Sequence, residues 1–340
     1  MKVVQPEELE AFLTKVFVAA GTPPDIAEFV SGSLVDSNLK GLDSHGAVRV
    51  AFYLDDIASG WINPASRPEI VRETPTMAIL NANQGFGIYA LGYAVDLAIA
   101  KARECQVAVV GVTHSTHTGR LGWYAERAAA KKAAVMIVGG GALGHPQHAT
   151  VAPYGGRKRL IATNPYVFGF PGGQFEALTV DISSSTVAEG KLKVHRANHT
   201  ELPAGWILDK NGRPSTNVED FYDGGMLLPA AGHKGFGLGL AAEFLAGLML
   251  GKAHELNWLV LALDIAAFCP LDEFVPAAER VLRTVKEIPP APGFTEVMYP
   301  GEPEARVAKQ KATEGIALTN EIWAKICGAA GKVGVMPPEP

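Results

Sequence analysis

A layered α/β fold is predicted by three observations. Short apolar runs suited to buried strands, MAILNA, VAVVGV, AAVMIVG and ALTVDI, recur between residues 77 and 182. Segments of helical periodicity, Leu91 to Arg103 and Leu121 to Lys132, lie between some of them, and strands alternating with helices define the α/β class. The chain has 340 residues, 48% apolar and only 19% charged, which is enough for about two compact units and far from the composition of a disordered protein.

Taken in order, Leu9, Phe12, Leu13 and Val16 recur at helical spacing, and Pro23-Pro24 opens a second helix through Ile26, Val30 and Leu34. A third helix is expected after Asp43, capped by Ser44 and stopping near Gly60. Strands and helices alternate from about Ile70. Residues 155–173 and 203–233, rich in Gly and Pro, read as loops. Gly235 to Gly251 reads as a buried helix and Leu259 to Leu263 as a strand. Past Leu271 the chain turns helical, is broken by Pro289-Pro290-Ala291-Pro292, and resumes in helices near 303–313 and 319–327.

A net charge of −5 without a basic stripe argues against nucleic acid and favours a small molecule as partner. The apolar stretch Leu238 to Gly251 carries Glu243 and is too short to cross a bilayer. Acids interrupt MKVVQPEELEAF, which does not read as a secretory signal. Cys105, Cys269 and Cys327 are far apart and form no CxxC pair, so neither a disulfide framework nor a thiolate zinc site is expected, and the compartment reads as reducing and cytoplasmic.

Gly139, Gly141 and Gly144 satisfy G-x-G-x-x-G after a strand, yet Pro146 follows at once and no acid stands about 20 residues on, so a standard dinucleotide fingerprint is refused. In DSHGAVR, His45 and Arg49 are four apart and would share a helical face, a proton donor beside a carboxylate fork; an ordinary surface turn is the alternative. His114 and His117 follow a strand, where α/β sheets hold ligands, and could serve as acid/base groups, as structural residues or, with His145 and His148, as metal ligands of a hydrolase. No third ligand stands near either pair, so no metal is assigned. VDISSST places Asp181 at a strand end before Ser183 to Thr186, a turn suited to phosphate or ribose or to capping a helix. GHKGFGLGL sets Lys234 among glycines at a helix start, an anion site or a packing device.

These motifs, with GWINP, HSTHTGRLGWYA, VAPYGG, ATNP, LPAGW, PLDEF and PGEPEAR in this order, resemble the malate/L-lactate/L-sulfolactate dehydrogenase family of NAD(P)-dependent oxidoreductases. That family also includes ureidoglycolate dehydrogenase, 2,3-diketogulonate reductase and Δ1-piperideine-2-carboxylate reductase. The resemblance implies a mixed-sheet, non-Rossmann NAD(P)-binding domain over 71–270, and a helical domain built from residues 1–70 with the helices of 271–340. It implies a homodimer, or dimers of dimers, using NAD or NADP on a small 2-hydroxy or 2-keto acid of malate, lactate or sulfolactate type, or alternatively on a cyclic 2-imino acid. Its site residues fall on His45 and His117 as alternative acid/base groups, Arg49 for the substrate carboxylate, and Thr163 and Asn164 in the pocket. For the cofactor they fall on Asp181, Ile182, Ser183, Ser184, His233, Lys234, Gly235, Gly301 and Glu302. There are two departures: the family's HFG reads His117-Thr118-Gly119, and GGGALGHPQHA replaces a short TNS-like segment. No Arg or Lys cluster is assigned to a 2′-phosphate; Arg157, Lys158 and Arg159 are candidates, with a solvated loop the commoner reading.

Overall fold

The computed structural model describes residues 1–337. The chain runs β1 (Lys2–Val4), α1 (Pro6–Ala19), α2 (Pro24–Leu39), α3 (Arg49–Ser59), β2 (Glu69–Thr74), β3 (Met77–Asn81), α4 (Gly87–Cys105), β4 (Val107–Ser115), α5 (Gly122–Ala130) and β5 (Ala133–Gly140). It continues through β6 (Tyr166–Phe170), β7 (Leu178–Ile182), α6 (Glu189–Ala197), β8 (Ile207–Leu208), β9 (Pro214–Ser215), α7 (Val218–Tyr222), β10 (Met226–Leu227) and α8 (His233–Ala242). A π-helical segment, Glu243–Leu248, prolongs α8 before β11 (Leu256–Asp264), α9 (Leu271–Glu287), α10 (Glu302–Glu314), β12 (Ile316–Leu318) and α11 (Asn320–Lys332). Seven strands form a mixed sheet in the order β2-β3-β4-β11-β5-β6-β7, with β2 antiparallel and β4 parallel to β3. This is the α/β class read from the apolar runs.

The contacts divide the chain into two compact units. The first takes residues 1–136, 168–180 and 260–340. Its helical core begins with α1, where Pro6 pre-sets the first turn and Leu9, Phe12, Leu13, Val16 and Phe17 are buried. They pack with Val30 and Leu34 of α2, Tyr53 of α3 and Ile326 of α11, and Phe17 meets the ring of Phe86 edge-on at 5.5 Å. The two ends of the chain meet here: β1 pairs with β12, and Lys311 Nζ donates to the Asn38 carbonyl at 2.8 Å.

The second unit takes residues 137–167 and 181–259. Its core holds Val151, Ile161, Leu192, Ile207, Phe221 and Leu227 beside the small antiparallel sheet β10-β8-β9.

Several expectations are corrected. Ser44 caps no helix: Asp43–His45 is a single 3-10 turn, Gly46 is extended (φ −90°, ψ −153°), and α3 begins only at Arg49, so His45 and Arg49 do not share a helical face. The cause is Asn38, whose Oδ1 accepts from the Ala47 N–H at 2.7 Å and whose Nδ2 donates to Asp43 at 2.6 Å, fixing the turn. A Cβ at Gly46 would lie 2.3 Å from Asn38 Oδ1. The loop read over 155–173 contains β6, in which Gly169 allows Ala125 to approach; a Cβ there would stand 2.7 Å from Ala125 Cβ. The loop over 203–233 contains β8, β9, β10 and α7. The helix read as buried over 235–251 buries only one face.

Candidate active site

Within the first unit, three chain segments bring His45, Arg49, Tyr53 and His117 together. The turn built by Asn38 presents His45, α3 presents Arg49 and Tyr53 four residues apart, and the loop after β4 presents His117. That loop is pinned by Thr116, whose Oγ1 donates to the Gly85 carbonyl and accepts from the Gly87 N–H, and by buried Tyr124, whose hydroxyl donates to the Thr118 carbonyl at 2.6 Å. Behind it Arg120, 3% exposed, is held between Asp36 at 2.6 Å and Glu126 at 2.7 Å.

The imidazoles of His45 and His117 stack with centroids 5.9 Å apart and planes 19° from parallel. His45 Nδ1 lies 3.0 Å from Ser44 Oγ. His117 Nδ1 lies 2.7 Å from the Tyr53 hydroxyl and accepts from the Gly119 N–H at 3.3 Å. Arg49 Nε donates to the Ser44 carbonyl at 2.7 Å, which anchors the guanidinium while leaving its Nη edge for a ligand. Burial, reinforced by the charges of Arg49 and Arg120, pushes His45 from its ordinary 6.5 down to about 4. Burial, then Arg49 and His45, holds His117 well below 6.5. Both rings are thus neutral at physiological pH beside a permanent cation, an arrangement that favours an arriving carboxylate.

The other histidines stand apart from this pair. His114 is exposed, in left-handed backbone (φ 51°), so HxxH does not converge. His145 and His148 stack at 4.4 Å. Among the described residues no group of three or more His, Cys, Asp or Glu is placed to hold a metal.

Within the second unit, Asp181 and Ile182 are exposed at the end of β7, and Ser184 turns inward, its N–H and Oγ both donating to the Thr163 carbonyl at 2.8 Å. Ser183 Oγ donates to the Ser185 carbonyl at 2.9 Å, so these hydroxyls shape the turn itself. The start of α8 is pressed against it. A Cβ at Gly235 would lie 2.3 Å from the Ala230 carbonyl oxygen and 2.5 Å from that of Ser184, and one at Gly239 would lie 2.9 Å from Ser184 Oγ. Glycine therefore brings the positive end of a helix, with exposed Lys234, beside the strand end carrying Asp181. His233, also exposed, faces Tyr154 at 5.9 Å. An ammonium and helix N–H groups suit a pyrophosphate, and an exposed carboxylate suits a ribose hydroxyl. The residues present fit a dinucleotide on these grounds.

Five of the sequence-read positions are engaged in the fold. Asn164, fully buried at φ 32°, donates to the Gly239 carbonyl at 2.8 Å and to Glu243 at 2.9 Å, while Glu243 also accepts from the Gly141 N–H. Thr163 offers its carbonyl to Ser184. Gly301, at φ 95°, lies against Ala177 and Thr179, and buried Glu302 binds Lys286 at 2.8 Å and Arg306. Arg159 is held by the Gly225 and Phe221 carbonyls, at 2.7 Å each, which leaves Arg157 and Lys158 exposed. The refused glycine motif serves packing: Gly139 receives the Trp258 ring, and no helix follows Gly144.

Sequence reasoning missed Tyr53, although its spacing from Arg49 placed it on the same face of α3. It also missed Glu243 as a strut, although that is the lone acid in an apolar stretch.

A family model described as malate/L-lactate dehydrogenase matches residues 4–327. The chain is 33% identical to a malate dehydrogenase of Pyrococcus abyssi, covering 97% of this chain and 94% of that one. It is 31% identical to an NAD(+) ureidoglycolate dehydrogenase of Escherichia coli O157:H7, covering 93% of each. The solved sulfolactate dehydrogenase of Methanocaldococcus jannaschii superposes with a TM-score of 0.88 at 27% identity over 98% of both chains. The chain belongs to the malate/L-lactate dehydrogenase family, and it is an NAD(P)-dependent oxidoreductase of that family.

Proposed function

We propose that this enzyme moves a hydride between the nicotinamide ring and C2 of a small 2-hydroxy or 2-keto acid of malate, lactate or sulfolactate type. The observation that carries the reading is the stacked His45–His117 pair beside Arg49, whose anchored guanidinium leaves an edge for a carboxylate. Arg49 orients the acid, and an imidazole supplies or takes the proton at the C2 oxygen. Lys234, the start of α8 and Asp181 bind the dinucleotide, with Ser183, Ser184 and Gly235 holding the shape of that cradle. The cofactor, when bound, supplies the hydride; the protein's part is orientation, charge and the proton.

The test follows oxidation of NADH and of NADPH against oxaloacetate, pyruvate, sulfopyruvate and, for the imino-acid alternative, Δ1-piperideine-2-carboxylate. Turnover of a keto acid is expected. Failure of every substrate, with no NAD(P)H binding by fluorescence, refutes the reading.

The same reading includes a cytoplasmic homodimer. No described helix is long and apolar enough to cross a membrane. Leu238, Phe244, Leu248 and Met249 are 44%, 58%, 65% and 65% exposed on one run of helix, an apolar face that a second copy would bury. Light scattering on the purified chain is expected to give twice 35.9 kDa, and Phe244→Asp to lower it; a monomer refutes the dimer. Cell fractionation tests the compartment.

A further inference from the structure

We propose that the two histidines divide the work of this reaction: His117 is a fixed hydrogen-bond donor to the C2 oxygen, held in one tautomer by Tyr53 and the Gly119 N–H, and His45 is the group that exchanges the proton. The inference rests on the hydride-transfer reading above and assigns roles within its site.

The two Nδ1 atoms face different partners. A backbone N–H is a donor that cannot reverse, and Gly119 directs its N–H at His117 Nδ1. That atom must therefore be a lone pair, and the Tyr53 hydroxyl, 2.7 Å away, donates to it as well. Neutral His117 then carries its proton on Nε2. Protonating the ring would set an Nδ1–H against the Gly119 N–H, donor against donor. Tyr53 cannot drift from this position, because its ring is buried between Phe17 at 6.3 Å and Phe86 at 5.8 Å. His117 thus offers an N–H without titrating.

His45 faces a different partner. Its Nδ1 meets Ser44 Oγ at 3.0 Å, and a hydroxyl accepts as readily as it donates. With Nδ1–H donating to Ser44, Nε2 gains or loses a proton and the hydrogen bond survives both states. The groups facing His45 are Arg49 and Arg120, both cationic, and the stacked His117. A substrate carboxylate on Arg49 offsets one of those charges, so proton uptake by His45 accompanies substrate binding.

The step balances as follows. A bound nicotinamide would supply the hydride, with its electron pair, that becomes the C2–H bond, and the C=O π pair would move to oxygen. That oxygen, hydrogen-bonded by His117 Nε2–H, takes the proton from His45 Nε2–H, whose N–H electrons stay on the ring. Oxidation of the hydroxy acid runs the same bonds in reverse. His45 and His117 are catalytic residues here; Tyr53 and Ser44 position them.

Histidine-labelled protein examined by long-range 15N–1H NMR tests the tautomer in the free enzyme, without turnover. His117 is expected as the Nε2–H form at every pH from 5 to 8; an Nδ1–H form, or titration within that range, overturns the proposal. In steady-state reduction, His45→Gln should lose roughly 10²- to 10⁴-fold in kcat and the pH-dependent limb of the profile. His117→Gln, which still presents an N–H, and Tyr53→Phe should each lose about tenfold in kcat and keep that limb. Loss of the limb in His117→Gln with its retention in His45→Gln reverses the roles and refutes the assignment. Absence of turnover in the unaltered enzyme would count against the hydride-transfer reading, while the NMR result still decides the tautomer.

Discussion

Replacing His45 with Gln should flatten the dependence of stability on pH. In the folded chain His45 titrates at about 4 rather than 6.5, because burial, then Arg49 and Arg120, disfavour its cation. Between those two values the unfolded chain binds more protons than the folded one. The sign follows: stability is undiminished above about pH 6.5 and is lost as pH falls through the window toward 4. At about 1.4 kcal/mol for each tenfold change in proton affinity, the loss approaches about 3 kcal/mol by pH 4. Carboxylates titrating in the same range are common to both proteins and cancel in the comparison. His117, whose affinity His45 also lowers, recovers a little in the variant, so a difference nearer 2 kcal/mol is expected. Urea titrations at pH 7 and pH 4 on both proteins give the four free energies needed. Equal pH slopes in the two proteins would refute the account of His45 as a ring held neutral by its surroundings.

Arg49→Lys keeps the charge but not the fork, and should raise KM for the keto acid about 10- to 100-fold with a smaller change in kcat; an unchanged KM would place the carboxylate elsewhere. Lys234→Ala should weaken NADH binding about tenfold by fluorescence titration while leaving the melting temperature within a few degrees. Gly235→Ala should cost about 2 kcal/mol or more in urea unfolding, since its Cβ would meet the Ala230 carbonyl at 2.3 Å with backbone on both sides; full stability would mean that α8 shifts freely. Arg120→Met leaves Asp36 and Glu126 with only Lys40, 3.4 Å from Glu126, to offset them and should cost about 3 kcal/mol, read from the same titration.

What the sequence disclosed depended on whether the determining contacts were local. The strands β4, β5 and β11 were visible because burial on both faces writes a nearly continuous apolar run, and β3 and β7 because their buried positions fall within short apolar segments. β2 was not, because all six of its residues are exposed and no alternation marks them. The helix expected from Ser44 failed for a reason no window around it contains: Asn38, nine residues before Ala47, supplies the acceptor that ties down the turn. The glycines of GHKGFGLG could be read as a close approach, but the partner of that approach, Ser184, lies more than 50 positions away.

The same distinction separates the parts of the site. Candidates were legible, since motif order pointed to His45, His117, Arg49 and Lys234. Roles were not, because a histidine's role is set by what its second nitrogen faces. Seventy-two positions separate His45 from His117; each Nδ1 meets a hydroxyl, Ser44 for one and Tyr53 for the other, but only His117 also meets a donor that cannot turn round, the Gly119 N–H. A motif specifies the ring; the peptide N–H two residues later specifies its tautomer. The family's usual HFG and this chain's His117-Thr118-Gly119 share that glycine. Gly119 sits at φ 68°, which an L side chain resists, and its N–H, carried in the peptide plane it shares with Thr118, points at Nδ1. The Thr118–Gly119 peptide therefore bears on the tautomer as directly as the Tyr53 hydroxyl does.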